Sequence, residues 1–237
     1  MLNIIPVLDL MGGIAVSGKS GDRNSYLPLK TVFAPNSNPF SIAKSLKING
    51  AREIYVADLD LIEKKGHNLD HIKMMNSIIP LILDSGVRNF DSFKFFLDFA
   101  YKIVVATETL TSIEELYKIF DNISKERIVV SVDIKDNELY SKDNNLNLSL
   151  GEFKKDLIAI SPNEIILLDI SRVGSQSGYS KQLVNEFIEF KDKLILGGGI
   201  KKEDLNSIAS NGIDKILLGT GLHKGDISLR DSVNLFK

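Results

Sequence analysis

The 237-residue chain has no cysteine, no tryptophan and only three histidines. Without cysteine there is no disulfide framework, no thiolate nucleophile and no Cys-ligated metal. His67, His71 and His223 fall at no spacing that suggests a metal set or a triad, so no metal site is expected and helix or loop surface positions suit them best. Charge of one sign is lacking too. The 29 Lys and Arg face 31 Asp and Glu, a net charge of −2, which excludes the basic footprint of a nucleic-acid binder. No apolar run approaches the ~20 residues of a membrane span, and the first residues read as a strand rather than a signal peptide. The expectation is a cytoplasmic protein of one domain, residues 1–237, with no nucleic-acid or membrane partner. A homo-oligomer is compatible with all of this.

What the chain does have is eight short β-branched runs. They are Ile4–Asp9, Glu53–Asp58, Pro80–Asp84, Lys102–Thr107, Arg127–Asp133, Glu164–Asp169, Lys193–Gly197 and Lys215–Thr220. Their hydrophobicity is continuous rather than alternating, as in parallel strands covered on both faces. Segments at helical spacing lie between them: Phe40–Ile48, Leu69–Ser77, Asp91–Phe99, Ser112–Phe120, Glu152–Ile158, Lys181–Phe190 and Lys202–Ser210, with Asp226–Phe236 as an eighth. Thr111, with Glu114 three residues on, and Ser180 are cap candidates, and Gly50 and Gly212 mark helix ends. The pattern predicts an α/β fold, a (β/α)8 (TIM) barrel, with the doubly wound open sheet as the alternative.

The order also repeats. Asp58 and Asp169, Asp84 and Gly197, and Thr107 and Thr220 are separated by 111, 113 and 113 residues, so the chain reads as two half-barrels, about 1–123 and 124–237. The repeat sets Leu196-Gly197-Gly198-Gly199-Ile200 against Leu83-Asp84-Ser85-Gly86-Val87, and Leu218-Gly219-Thr220 against Val105-Ala106-Thr107-Glu108. Two long polar connections, Asp9 to about Pro39 and Ile134 to about Leu150, follow the first strand of each half and are placed at the C-terminal face, where barrels carry their lids.

Gly13-Ile-Ala-Val-Ser-Gly18-Lys19-Ser20 matches the nucleotide phosphate loop letter for letter. That loop needs a helix directly after Lys-Ser to aim its dipole at the phosphates, whereas Gly21, Asp22, Asn24 and Pro28 follow. Ile14-Ala15-Val16 reads instead as a short strand, with Lys19 and Arg23 available to close over an anionic substrate. The glycines on strands seven and eight are the better phosphate signal. Gly198, Gly199 and Gly219 let backbone N–H groups approach an anion, and Thr220 adds a hydroxyl; tight strand–helix packing is the competing explanation for them.

The first half has carboxylates at the matching places. A carboxylate a few ångströms from a phosphate oxygen costs about 4 kcal/mol per charge pair at an effective ε near 20. Asp84 and Glu108 therefore argue against a second phosphate. They either accept hydroxyls or an amino group from a substrate, or pair with Arg88 or Lys102. Asp9 and Asp133 each end the first strand of a half and form a candidate acid–base pair, one of them needing its pKa raised by roughly two to three units. Asp58 and Asp169 end the second strands and serve either as supporting partners or structurally.

Ile-Ile-Pro-Val-Leu-Asp9-Leu, Val-Ala-Asp58-Leu-Asp60, Asp169-Ile-Ser-Arg172-Val-Gly-Ser175, Gly197-Gly-Gly-Ile and Leu218-Gly-Thr-Gly together resemble the histidine-biosynthesis barrels. These are the phosphoribosylformimino-aminoimidazole-carboxamide ribotide isomerase and its sister, the imidazole glycerol phosphate synthase cyclase. The resemblance spans nearly the whole chain, implies the (β/α)8 fold, and leans towards the isomerase. It implies a cofactor-free Amadori rearrangement of an aminoaldose to an aminoketose on a small phosphorylated sugar, with Asp9 as general base and Asp133 as general acid. Ser175 takes the place of a family threonine near the reacting sugar.

The departures are specific. The family's substrate carries a phosphate at each end, and only the second grip is present. Val173 replaces an aspartate, and the indole that the family isomerase places over the imidazole is missing. The chain thus resembles a divergent subgroup, expected to isomerise a phosphoribosyl-type compound with one phosphate, with Asp84, Glu108, Asp169, Lys19 and Arg23 as substrate contacts. The alternatives are an authentic histidine-pathway isomerase and a non-catalytic phosphometabolite-binding barrel; the cyclase, which needs a glutaminase partner, is less favoured.

Overall fold

A computed structural model describes residues 2–18, 25–142 and 146–230. Eight parallel strands close on themselves: β1 (Asn3–Met11), β2 (Ile54–Asp58), β3 (Leu81–Asp84), β4 (Lys102–Ala106), β5 (Ile128–Lys135), β6 (Ile165–Asp169), β7 (Leu194–Gly197) and β8 (Lys215–Leu218). Each pairs with the next in sequence, and β8 pairs with β1 through Asn3–Lys215 to Pro6–Leu218, so no edge is left. This is the (β/α)8 barrel and not the open sheet. β1 and β5 are the longest strands, and each turns back into a short antiparallel hairpin, Ile14–Ser17 on β1 and Glu138–Leu139 on β5. The two halves thus repeat in their irregular parts as well.

The helices that cover the barrel are α1 (Pro39–Ile48), α2 (Leu69–Asn76), α3 (Phe90–Phe96), α4 (Ile113–Asn122), α5 (Leu150–Ile160), α6 (Lys181–Glu186), α7 (Leu205–Ser210) and α8 (Thr220–His223). Their starts follow local chemistry. Asn38 caps α1 with Pro39 in its first turn, Asn89–Ser92 and Ser149–Glu152 form reciprocal capping boxes, and Ser180 Oγ accepts from Leu183 N. Three helices differ from expectation. α4 is capped at Ser112 rather than Thr111. α6 ends at Glu186 and continues as a 3-10 segment, Ile188–Lys193. The eighth helix is the single turn Thr220–His223. Asp226–Arg230 is not helical, and the rest of the segment proposed to Phe236 lies outside the described residues.

Two apolar layers explain the continuous runs. Successive side chains on a strand point to opposite faces. Ile54 and Val56 join the layer under the helices, while Tyr55 and Ala57 join the barrel interior; β4 divides the same way, with Ile103 and Val105 outside and Val104 and Ala106 inside. Ile5, Ile82, Val104, Val129, Ile166 and Ile195 are all fully buried and fill the middle of the interior.

Below them, at the N-terminal end, four charges at or just before the first residue of the even-numbered strands share the inward alternation: Glu53, Lys102, Glu164 and Lys215. Lys102 Nζ lies 2.7 Å from Glu164 and 3.1 Å from Glu53, and Lys215 Nζ lies 2.8 Å from Glu164. Burial works against the charges, but the ion pairs prevail: Lys102 is held above its ordinary pKa and Glu164 below its own. Lys102→Met leaves two acids without their shared cation. It should cost about 2–4 kcal/mol at neutral pH, since these side chains are mostly but not fully buried. Because Glu164 is lowered, its contribution is present above the ordinary glutamate range and fades as pH falls through it. Denaturant unfolding of Lys102→Met against wild type should therefore show the deficit at pH 7 and a much smaller one below pH 4. An equal deficit at both values would rule out the ion-pair account.

Candidate active site

The same alternation sets the other end of the barrel. Ile5, Val7 and Asp9 on β1, Ile82 and Asp84 on β3, and Val129, Ser131 and Asp133 on β5 are spaced by two, which turns three carboxylates into the C-terminal mouth. They line one cavity of about 800 Å3 together with Glu108 just past β4. The hairpin after β1 (Val16, Ser17, Gly18) and residues 25–30 form one wall; the loops after β6, β7 and β8 form the other.

Asp133 is buried and well bonded. Its carboxylate accepts from Ser131 Oγ at 2.8 Å, from the Glu108 backbone N–H at 3.1 Å and from Thr107 Oγ1 at 3.4 Å. Burial, then the negative charges of Glu108 and Asp84, raise its pKa to about 7, outweighing those donors. A carboxyl poised there holds its proton near neutrality and can still release it, as a general acid must.

Asp84 is fixed from two sides. Tyr55 Oη donates to its Oδ2 at 3.0 Å and the Gly86 N–H to its Oδ1 at 3.1 Å. Gly86 has φ +68, and a Cβ there would sit 2.9 Å from the Ile62 backbone, so only glycine fits this turn. Tyr55 stays a neutral phenol, because burial and the charges of Asp84, Asp133 and Asp9 all raise its pKa. The alternative pairings are taken up elsewhere: Lys102 lies in the cluster at the N-terminal end, and Arg88 Nη2 donates to the Ile62 carbonyl.

Gly198, Gly199, Gly219 and Thr220 all line the cavity opposite Asp84. The glycines are not equivalent. At Gly198 (φ +100) a Cβ would meet the Asp169 carbonyl at 2.6 Å, and at Gly199 (φ +70) the Gly178 carbonyl at 2.9 Å. Packing alone demands those two. At Gly219 the nearest atom is Val7 Cβ at 3.8 Å, an ordinary contact, so packing does not require the missing side chain there.

Other residues singled out from sequence fall elsewhere. Asp58 and Asp169 have the opposite alternation from Asp9 and Asp133. Asp58 is wholly buried and accepts from Leu61 N, Asn68 N and Asn68 Nδ2, while Asp60 and Asn68 accept from the Gly12 and Gly13 amides. That network fastens the turn after β1 and is structural. Asp169 pairs with Arg172 at 3.0 Å and does not line the cavity. Ser175 is exposed, donates to the Arg172 carbonyl at 2.7 Å and does not line it either. Gly13–Ser17 is a turn and strand rather than a phosphate cradle, and Gly18 lies against the Tyr26 ring. Lys19 and Arg23 lie outside the described residues.

His223 corrects the surface assignment. It is buried, with Nε2 2.8 Å from the Val7 carbonyl and Nδ1 2.9 Å from Thr31 Oγ1, and burial lowers its pKa. It ties α8 to β1 and to the loop before α1. Tyr55, Gln176 and Lys224 were not anticipated. Tyr55 was readable as the inward polar residue of β2. Lys224, whose Nζ donates to Gln176 Oε1 at 3.2 Å, comes one helical turn after Thr220. Among the described residues no group of His, Asp and Glu is arranged to hold a metal, and no helix is long and apolar enough to cross a membrane.

Comparison with known proteins agrees with this architecture. Over 240 residues the chain is 39% identical to an uncharacterised protein of Methanocaldococcus jannaschii, covering 99% of both chains. It is 29% identical over 241 residues to a 1-(5-phosphoribosyl)-5-(5-phosphoribosylamino)methylideneamino-imidazole-4-carboxamide isomerase of Clostridium kluyveri, covering 98% of both. A protein of that name from Clostridium beijerinckii is 31% identical over 205 residues, 84% of this chain and 82% of the relative. The histidine biosynthesis protein family matches residues 3–228, and with the closed barrel and its mouth as described, the chain belongs to that family.

Proposed function

We propose that the protein isomerises an aminoaldose of the phosphoribosyl type to the aminoketose, with Asp133 as general acid and Asp9 as general base. The observation that carries this is the pairing of an acid held at about pKa 7 with a second carboxylate in one cavity. Asp133 gives its proton to the ring oxygen as the C1–O bond breaks, leaving a protonated imine at C1. Asp9 takes the proton from C2, and the electron pair moves to form the enolamine. Loss of the C2 hydroxyl proton and gain of one at C1 complete the aminoketose. Every step moves a proton, so no redox cofactor is called for.

One phosphate would rest on the amides and hydroxyl of Gly198, Gly199, Gly219 and Thr220, with Lys224 supplying positive charge beside them. Asp84 and Glu108 would disfavour a second phosphate and accept hydroxyl or amino hydrogens from the other end. Asp169 and Ser175 would act only through the loop after β6, with Lys19 and Arg23 as further contacts for an anionic substrate. The second reading is the isomerase of the Clostridium relatives, whose name carries two phosphoribosyl groups. Incubation with that bis-phosphoribosyl aminoaldose separates the two. Turnover would make this the histidine-pathway enzyme; none, with turnover of a singly phosphorylated analogue, is the expected result. Binding without turnover of either would leave a non-catalytic barrel.

Asp133→Asn should lower kcat by at least a hundredfold with little change in ligand affinity. Its stability should move the other way. A carboxyl whose folded pKa is raised binds its proton more tightly folded than unfolded, so wild-type stability falls as pH rises from the ordinary aspartate range through about 7. The variant escapes that loss and should be about 1–3 kcal/mol more stable than wild type at pH 8, the amide's mismatch with the Ser131 and Glu108 donors taking back part of the gain. At pH 4 the difference should vanish or reverse.

Gly219→Ala should fold normally yet weaken binding of a phosphate-bearing ligand about tenfold, the scale of one lost amide–phosphate bond. Gly198→Ala should destabilise the fold itself by more than 1 kcal/mol. Calorimetric titration with ribose 5-phosphate and thermal unfolding of both variants check this. Unchanged affinity in Gly219→Ala would remove the phosphate from these loops.

A further inference from the structure

The cavity has few positive charges in its wall. Among the described residues they are Lys30, in the loop before α1, and Lys224, directly after α8, both exposed. The two come from opposite ends of the chain, yet each is next in sequence to one member of a single hydrogen bond. Lys30 precedes Thr31, Lys224 follows His223, and Thr31 Oγ1 lies 2.9 Å from His223 Nδ1. Neighbouring Cα atoms are ~3.8 Å apart, so this bond sets both lysine backbones at one junction.

The junction is built on a neutral imidazole. His223 Nε2 faces the Val7 carbonyl at 2.8 Å and must carry the proton; burial disfavours the charged ring, so Nδ1 accepts from the Thr31 hydroxyl. Thr31 Oγ1 accepts in turn from the Phe33 N–H at 3.2 Å, and the Val32 N–H donates to the His223 carbonyl at 2.9 Å. On its other side the Leu29 N–H donates to the Ala15 carbonyl at 2.9 Å, so the backbone is pinned both before and after Lys30. Lys224 is placed by its own N–H, which donates to the Thr220 carbonyl at 3.0 Å. Its Nζ donates to Gln176 Oε1, while Gln176 Nε2 donates to Asp226 Oδ2 at 2.9 Å and so fixes the amide. Val7, which His223 holds, is also what a side chain at Gly219 would first meet, at 3.8 Å. The junction therefore lies against the bare Gly219–Thr220 turn.

We propose that Lys30 binds the ligand's phosphate from the loop before α1, with Lys224 on the other side of the same anion, and that Thr31 and His223 are positioning residues holding the two cations to it. The proposal rests on the reading of Gly219 and Thr220 as a phosphate site and adds to that site a charge from the first half of the chain. Two lysines brought to one junction repel each other unless an anion lies between them, and a phosphate monoester carries about two negative charges near neutrality. The arrangement also ties the wall before α1 to the helix that starts at the phosphate, so one bond registers the wall against the ligand.

Calorimetric titration of the full-length protein with ribose 5-phosphate tests both parts, with thermal unfolding to show that each variant keeps its fold. Lys30→Gln should weaken binding about tenfold, the scale of one charge-assisted contact, and Lys30→Arg should recover most of it. Wild-type affinity should fall more steeply than that of Lys30→Gln as NaCl rises from about 50 to about 500 mM, because salt screens an exposed charge contact. Thr31→Val removes the bond to His223 at nearly constant volume. It should cost about threefold in the wild-type background and nothing further in Lys30→Gln, since it acts through Lys30. Losses that add in full would reject the positioning role, as expected of a residue that only packs. Unchanged affinity in Lys30→Gln, with Gly219→Ala still weakened, would overturn the proposal and leave the phosphate on its loops. No binding of ribose 5-phosphate by the wild-type protein would overturn both.

Discussion

The alternation of side chains along a strand, in a barrel closed by β8 on β1, is the constraint on which everything else rests. Every second residue of eight strands must share one narrow interior. Its middle is apolar and fully buried. Its two ends are polar, and the same alternation delivers charges to both. At the N-terminal end, acids and bases arrive in pairs, Glu53 and Glu164 with Lys102 and Lys215, and neutralise one another. At the C-terminal end, Asp9, Asp84 and Asp133 arrive with Glu108 and a phenol, so that among the described lining residues acids outnumber bases. One end is a plug of paired charges; the other is a cavity lined by acids.

The two halves differ in what they bring to the mouth. The repeated frame, with a long first strand and hairpin in each half, supports two loops of opposite character. After β7 and β8 the backbone is bare, and after β3 and β4 it carries acids. The glycines also show why a motif is not a function. Gly198 and Gly199 are required by the carbonyls of Asp169 and Gly178, whatever else they bind, and only Gly219 is bare without a packing reason.

Much of this was legible in the residues. Strand runs such as Lys102–Thr107 and Glu164–Asp169 fall within a residue of β4 and β6, because continuous β-branched hydrophobicity is a local signal of a strand buried on both faces. Ile14–Val16 was readable as a strand because no helix-forming residues follow Ser20. Asp58 and Asp169 were grouped with Asp9 and Asp133 by their place at strand ends, yet a shift of one residue turns a side chain to the other face. Counting in twos from Tyr55 and Ile166 would have set them outside and brought Tyr55 in. His223 could not be placed this way, since its partners, Val7 and Thr31, lie at the far end of the chain.

The sequence by itself determined the eight strands, the helices between them and the identity of the acids and glycines at strand ends, but not the eighth helix, since each of the former is a matter of neighbouring residues and their periodicity. Only the tertiary structure decided which of those residues meet. Pairing of β2 with β3 brings Asp84 to Tyr55, the barrel gathers Asp133 into the same cavity, and burial there raises the Asp133 pKa to about 7. A proton's affinity depends on the dielectric and on charges contributed by several strands, and neither exists until the chain has folded around them.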